Sequence, residues 1–98
     1  MTGRLFSFRV TPERVDEFVT LWHDTMLPLA KSQPGWTSAR LLVDRQSGKI
    51  VVVGIWASQS DAIASGVGSV HAERQRALLG DLVTAPPTIE DFEVAGEA

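Results

Sequence analysis

Hydrophobic and polar residues alternate at the start of the chain, which predicts a strand over Arg4 to Val10. Phe6, Phe8 and Val10 fall on one face, and Leu5, Ser7 and Arg9 on the other. The period then changes. Val15, Phe18, Val19, Trp22, Met26 and Leu29 recur at three- and four-residue steps, the apolar stripe of a helix. Thr11 suits its cap and Pro12 its first position, while Glu13, Asp16 and Glu17 complement the positive end of its dipole. Pro28 is expected to kink or end the last turn, and Gln33-Pro34-Gly35 is a firm stop.

A second strand is predicted from Trp36 to Val43 and a third from Lys49 to Trp56. The polar run Asp44-Arg45-Gln46-Ser47-Gly48 between them has the composition of a hairpin turn. Ile50, Val51, Val52, Val53 and Ile55 make the third strand apolar on both faces, so burial on both sides is expected. Ser58 or Ser60 starts a second helix, which Gly66 and Gly68 break, and a further helical piece follows from Ser69 to Leu82. Pro86-Pro87 is a stiff connector, Thr88 to Val94 is the last strand, and the tail from Ala95 is loose.

The order β-α-β-β-α-β is the ferredoxin-like plan of an α+β domain: one antiparallel sheet with both helices on one face and the first and third strands central. Residues 1–98 make a single domain. The free face of the sheet would carry Val51, Val53, Ile55 and Leu5 or their alternates. A soluble monomer rarely leaves such a patch bare, so a homodimer packed through the sheet face is expected.

Composition narrows the function. With 98 residues, 44% of them hydrophobic, and a net charge of −3, the chain reads as a soluble globular domain. The absence of cysteine removes disulfides, thiolate nucleophiles and cysteine-based metal sites. No cluster of lysine and arginine marks a nucleic-acid groove. No segment reaches the ~18 apolar residues of a membrane span, and the start lacks a signal-peptide pattern, so no membrane is involved and the cytoplasm is the expected compartment.

The candidate chemistry is sparse. His23 follows Trp22 on the flank of the first stripe, and His71 follows the glycine break. Both helices cover one sheet face, so the two imidazoles can line one cleft, where histidine is the natural general base. The plain alternative for each is a boundary histidine. Trp22, Trp36 and Trp56 can wall an aromatic pocket or simply fill core and interface. Arg9 and Arg40 can bind an anion on the far side of the sheet or form salt bridges there. The acids of Glu90-Asp91-Phe92-Glu93 read as a solvated edge. No pair of residues has the spacing of a helical metal motif, so no metal site is expected.

Four segments carry a resemblance. The first strand runs into Val10-Thr11-Pro12-Glu13, and the first helix ends in Gln33-Pro34-Gly35-Trp36. The hairpin closes on Ile55-Trp56-Ala57-Ser58 before Ser60-Asp61-Ala62, and His71 lies in the later half of the second helix. Over nearly the whole chain this pattern resembles the antibiotic biosynthesis monooxygenase family. The resemblance implies a ferredoxin-like subunit whose sheet pairs with a partner's into a dimeric α+β barrel, with a cleft between sheet and helices. It implies a cofactor-independent monooxygenase acting on an aromatic polyketide- or quinol-like small molecule. The alternative is a non-catalytic dimeric barrel that holds a small hydrophobic ligand or haem. In the first case His71 or His23 is the base, Phe6, Phe8, Trp22 and Trp56 line the wall, and Ser7 or an indole N–H donates to the oxyanion. The haem-degrading branch of the family pairs its helix histidine with an asparagine and a tryptophan. Phe6 or Ser7 stands at the first of those positions and Ser65 or Gly66 at the second, and the chain has no asparagine. Haem breakdown is therefore not expected, and haem binding through His71 is left open.

Overall fold

Strand β1 runs over Thr2–Arg9, β2 over Trp36–Asp44, β3 over Lys49–Trp56 and β4 over Thr88–Glu93 in the computed structural model, which describes residues 1–98. The strands form one antiparallel sheet in the order β2-β3-β1-β4. The first connection holds a 3₁₀ turn (Pro12–Arg14), helix α1 (Val15–Leu21), a π-helical turn (Trp22–Met26) and helix α2 (Leu27–Lys31). The second holds α3 (Gln59–Ala64) and α4 (Val70–Leu79). This is the ferredoxin-like α+β plan, with β1 and β3 central. No helix is long and apolar enough to cross a membrane.

Register explains the two faces of the sheet. Phe8 pairs with Ile50, Phe6 with Val52 and Arg4 with Gly54 across β1 and β3. Leu41 and Val43 continue the same face onto β2. These side chains meet the helical layer, where Val15, Phe18, Trp22 and Met26 are buried at steps of three, four and four. Phe8 meets Phe18 edge-on at 5.1 Å, and Leu79 and Leu82 close that core. The opposite face carries Leu5, Val51, Val53 and Ile55, half-buried within the chain itself, with Leu42 and Phe92 exposed beside them.

Several local expectations are corrected. Pro28 neither ends nor breaks the helix, which continues to Lys31. The π-helical turn just before it resolves the conflict: the Leu27 N–H reaches back to the Trp22 carbonyl, and the wider turn spares the proline ring a clash with the carbonyl four residues earlier. The Thr11 side chain makes no cap bond, and the chain enters the helix through the 3₁₀ turn instead. Ser58 and Ser69 do cap, accepting from the Asp61 and Ala72 N–H groups at 3.1 and 3.0 Å. Strand β1 starts two residues earlier than the alternation suggests and stops before Val10, whose N–H bonds the Gly48 carbonyl at the hairpin. Helix α4 stops at Leu79 rather than Leu82, because Gly80 turns to φ +51°. Strand β4 ends at Glu93, one residue short of the expected Val94.

Candidate functional site

A cavity of about 850 Å³ opens between the sheet and the second helical connection. That is the size range of small-molecule sites. Its floor is the helix-facing side of the sheet: Phe6 on β1, Val52, Gly54 and Trp56 on β3, and Ala39 and Trp36 on β2. Trp36 and Ala39 are three residues apart and would face opposite ways in a regular strand. An irregularity between Trp36 and Ser38 adds one residue to β2 and returns both to the same side. Trp22 and Met26 wall the cavity from the π-helical turn, and Ser65, Gly66, His71 and Gln75 from the α3–α4 side. Val83 to Pro87 forms a strap along one edge, held at Thr84, whose N–H bonds the Arg9 carbonyl at 2.9 Å.

Arg4 is the charged group built into this wall. Its side chain is 13% exposed. Nε and Nη2 grip the Asp91 carboxylate at 2.7 and 2.9 Å, Nη2 also donates to the Ala62 carbonyl at 2.6 Å, and the guanidinium stands 5.9 Å from the centre of the Trp56 ring. Nη1 makes no hydrogen bond within the protein. Gly66 admits this arrangement: a Cβ there would lie 2.8 Å from Nη2. Gly66 is therefore a point of close approach, while Gly68, at φ +87°, is where the helix turns.

His71 lies half-buried across the cavity. Burial, and then the positive charges of Arg4 and Arg74, hold its imidazole below the ordinary value of 6.5. The Gln75 amide nitrogen donates to the Met26 carbonyl at 3.1 Å and lies 3.4 Å from His71 Nε2. Met26 fixes which end of the amide is nitrogen, because a carbonyl accepts only from N–H. An amide nitrogen only donates, so this contact is a hydrogen bond in the tautomer that carries the imidazole proton on Nδ1 and leaves Nε2 to accept. The Gln75 carbonyl oxygen is buried without a partner, and it is the only such side-chain atom in the molecule.

Phe6, Trp22, Trp56 and His71 thus meet at one cavity. Phe8 does not reach it; it packs in the core behind Phe6, ring centres 5.2 Å apart. His23 does not line the cavity either. One position on from buried Trp22, its ring is carried round to solvent, edge-on to the indole at 5.0 Å. Ser7, Arg9 and Arg40 belong to the far face of the sheet. Arg4, Asp91 and Gln75 were not foreseen, although strand parity puts Arg4 on the face of Phe6 and Phe8, and Gln75 stands one helical turn beyond His71.

No group of three or more His, Asp or Glu side chains is placed to hold a metal ion. Haem iron needs an imidazole lone pair, and the one lone pair of His71 faces the Gln75 N–H. Iron bound at that nitrogen would have to displace Gln75.

Comparison with known proteins gives this geometry its context. The model of the antibiotic biosynthesis monooxygenase family matches residues 1–77. Three solved structures share the fold along nearly the full length. A protein of unknown function, NE2512 from Nitrosomonas europaea, superposes with a TM-score of 0.79 at 21% identity, covering 99% of this chain and 91% of its own. Rv0793 from Mycobacterium tuberculosis gives 0.73 at 22%, covering 99% and 97%. The ActVA-Orf6 monooxygenase of Streptomyces coelicolor, solved with nanaomycin D, gives 0.78 at 20%, covering 99% and 89%. No curated protein matches the sequence. A family match over that span, on an architecture shared end to end with these structures, makes the chain a member of the antibiotic biosynthesis monooxygenase family.

Proposed function

We propose that the protein is a cofactor-independent monooxygenase of a small aromatic, polyketide- or quinol-like molecule, acting as a homodimer. The observation that carries this reading is the cavity of about 850 Å³ walled by Phe6, Trp22 and Trp56 with one imidazole at its side. Aromatic walls suit a flat ring system and keep water from a reactive carbanion. The ligand of the Streptomyces coelicolor monooxygenase, nanaomycin D, supports the same choice of substrate class. In this chemistry the substrate supplies the electrons. An activated ring CH₂ gives one proton to solvent as its enolate forms, and the carbanion takes up O₂. Loss of the second ring hydrogen with O–O cleavage leaves one oxygen as a ring carbonyl while the other departs as water, its two hydrogens balancing the two lost from the ring. His71 is the residue we place against the reacting ring, and exposed His23 takes no part.

A second reading is binding without turnover. It is favoured by the engagement of the His71 lone pair with Gln75, which leaves the cavity no free imidazole base. Oxygen uptake and product formation with an anthrone test both. The expected result is turnover that falls ~10²–10³-fold in His71→Ala, the cost of one lost oxyanion donor. Tight binding without oxygen uptake supports the second reading, and no binding overturns both. The dimer has its own support in Leu5, Val51, Val53 and Ile55, a contiguous apolar face on the side away from the helices. Sedimentation should give twice the chain mass. Val53→Asp should yield monomer or unfolded chain, since an unpaired buried charge costs on the order of 3–5 kcal/mol.

A further inference from the structure

The charges are unevenly shared between the cavity and the rest of the molecule. The chain has 12 acidic and nine basic residues and a net charge of −3. Yet none of the 26 residues lining the cavity is acidic, and they include Arg4, Arg76 and His71. Arg4 and Arg76 have carboxylate partners outside that lining, Asp91 at 2.7 Å and Glu73 at 3.9 Å, so the cavity wall presents cationic hydrogen-bond donors and no anionic side chain. Charged donors in an apolar wall favour an anionic acceptor, because a charge-assisted hydrogen bond is stronger there than in water.

The donors are also specific. Arg4 is tied by two of its nitrogens to Asp91 and Ala62, which orients the guanidinium and leaves Nη1 unengaged. In the tautomer that accepts from Gln75, His71 carries its proton on Nδ1, and that nitrogen has no partner within the protein. Asp91 reaches this region only through its pair with Arg4. The other charged groups about His71 are Glu73, Arg74 and Arg76 on its own helix, and the ones whose charge acts on the ring are Arg4 and Arg74. Burial and the charges of Arg4 and Arg74 disfavour the imidazolium, so the ring meets a ligand as a neutral N–H donor.

Resting on the aromatic-cavity reading above, we propose that the ligand is bound as an oxyanion, a phenolate or enolate, stabilised by Arg4 Nη1 and the Nδ1–H of His71, with Gln75 the positioning residue that fixes the imidazole tautomer. The hydroxyl proton passes to solvent when the ligand binds. The ring then enters the cavity already carrying the electron density that O₂ attacks, and His71 holds that state by donating to it. Gln75 acts at one remove: Met26 sets the amide, and the amide sets the ring. The unpartnered Gln75 oxygen is the cost of that choice, since the reversed amide would satisfy it from a proton on His71 Nε2 and lose Met26.

A hydroxyanthraquinone dye, whose phenol and phenolate differ in colour, is the probe. Spectra of the dye titrated with pH, free and with saturating protein, give its ionisation in both settings. The expected result is a downward shift of at least about one pH unit on binding, a tenfold preference for the anion. Arg4→Met should abolish most of that shift, and Arg4→Lys, which keeps the charge, should retain part of it. Imidazole ¹⁵N spectra of the wild-type protein should show His71 protonated on Nδ1, and Gln75→Leu should release it to a mixture of tautomers. A dye that binds with its ionisation unshifted or raised overturns the oxyanion assignment and leaves the aromatic cavity standing. The same holds for a full shift retained in Arg4→Met, and a wild-type His71 protonated on Nε2 removes His71 and Gln75 from the proposal. No binding at any pH overturns the cavity reading and this inference together.

Discussion

At one end of the layer between sheet and helices, Val15, Phe18 and Ile50 are 1% exposed or less. At the other, α3 and α4 leave Ile63, Val67 and Val70 between 62% and 76% exposed. The first end is served by one nearly continuous helical run, whose apolar steps keep a single stripe against the sheet. The second is served by two short helices with a turn between them. Close packing needs a helix that presents the same face over several turns. A cavity with polar groups in its wall needs that regularity broken, so that backbone carbonyls such as that of Ala62 become partners for a buried arginine. The chain packs tightly at one end and opens a cavity at the other.

Substitutions at the two ends should therefore differ in kind. The largest expected effect is at the packed end. Phe18→Ala should cost ~3–5 kcal/mol in urea unfolding, because the Phe8 edge contact and the helix–sheet seam lose their filling. Val67→Ser or Val70→Ser at the open end should stay within ~0.5 kcal/mol. Equal losses at both ends would erase the contrast.

Gly66→Ala sharpens it. The added methyl lies 2.8 Å from Arg4 Nη2 and 3.2 Å from the Ala62 carbonyl, so the guanidinium must move. The expected cost is ~1–3 kcal/mol, smaller than that of Phe18→Ala, but with weakened binding of an anionic dye measured by titration. A variant that loses stability without losing dye affinity would show that the Arg4 position is structural only.

The smallest effect is a pH dependence. Folding lowers the His71 pKa, so the unfolded chain takes up the proton first as pH falls. The stability that neutral His71 contributes is complete above its ordinary value of 6.5 and is lost as pH falls below it toward the folded-state value. His71→Gln should flatten that slope in urea titrations at a series of pH values. The difference should be well under the ~1.4 kcal/mol per pH unit of one full proton, because the ring is only half-buried.

What the sequence revealed divides along the same line. The stripe Val15, Phe18, Trp22, Met26 and the alternation Phe6, Phe8 are periodic, and periodicity reads a regular element directly. The packed end and the strand order were therefore legible. The site depends on residues brought together from β1, β4 and α4, and the 87-residue separation of Arg4 from Asp91 leaves no local trace. Strand parity alone could have placed Arg4 beside Phe6, but a lone arginine in an alternating strand reads as an ordinary polar position. Gly66 was read for its backbone, and its role lies in the absence of a side chain. The π-helical turn was hidden because its cause, Pro28, has a commoner outcome in a broken helix.

The strap from Val83 to Pro87 has a thermodynamic consequence. Two successive prolines hold their φ angles near about −65°, so this edge of the cavity has few conformations to lose. It is pinned at one end by Thr84 on the Arg9 carbonyl and at the other by β4, where Ile89 pairs with Phe6. A ligand held against this edge would have less loop to order, and that entropic cost of binding would be reduced. Selection among ligands at such an edge would rest on shape more than on a loop closing over them.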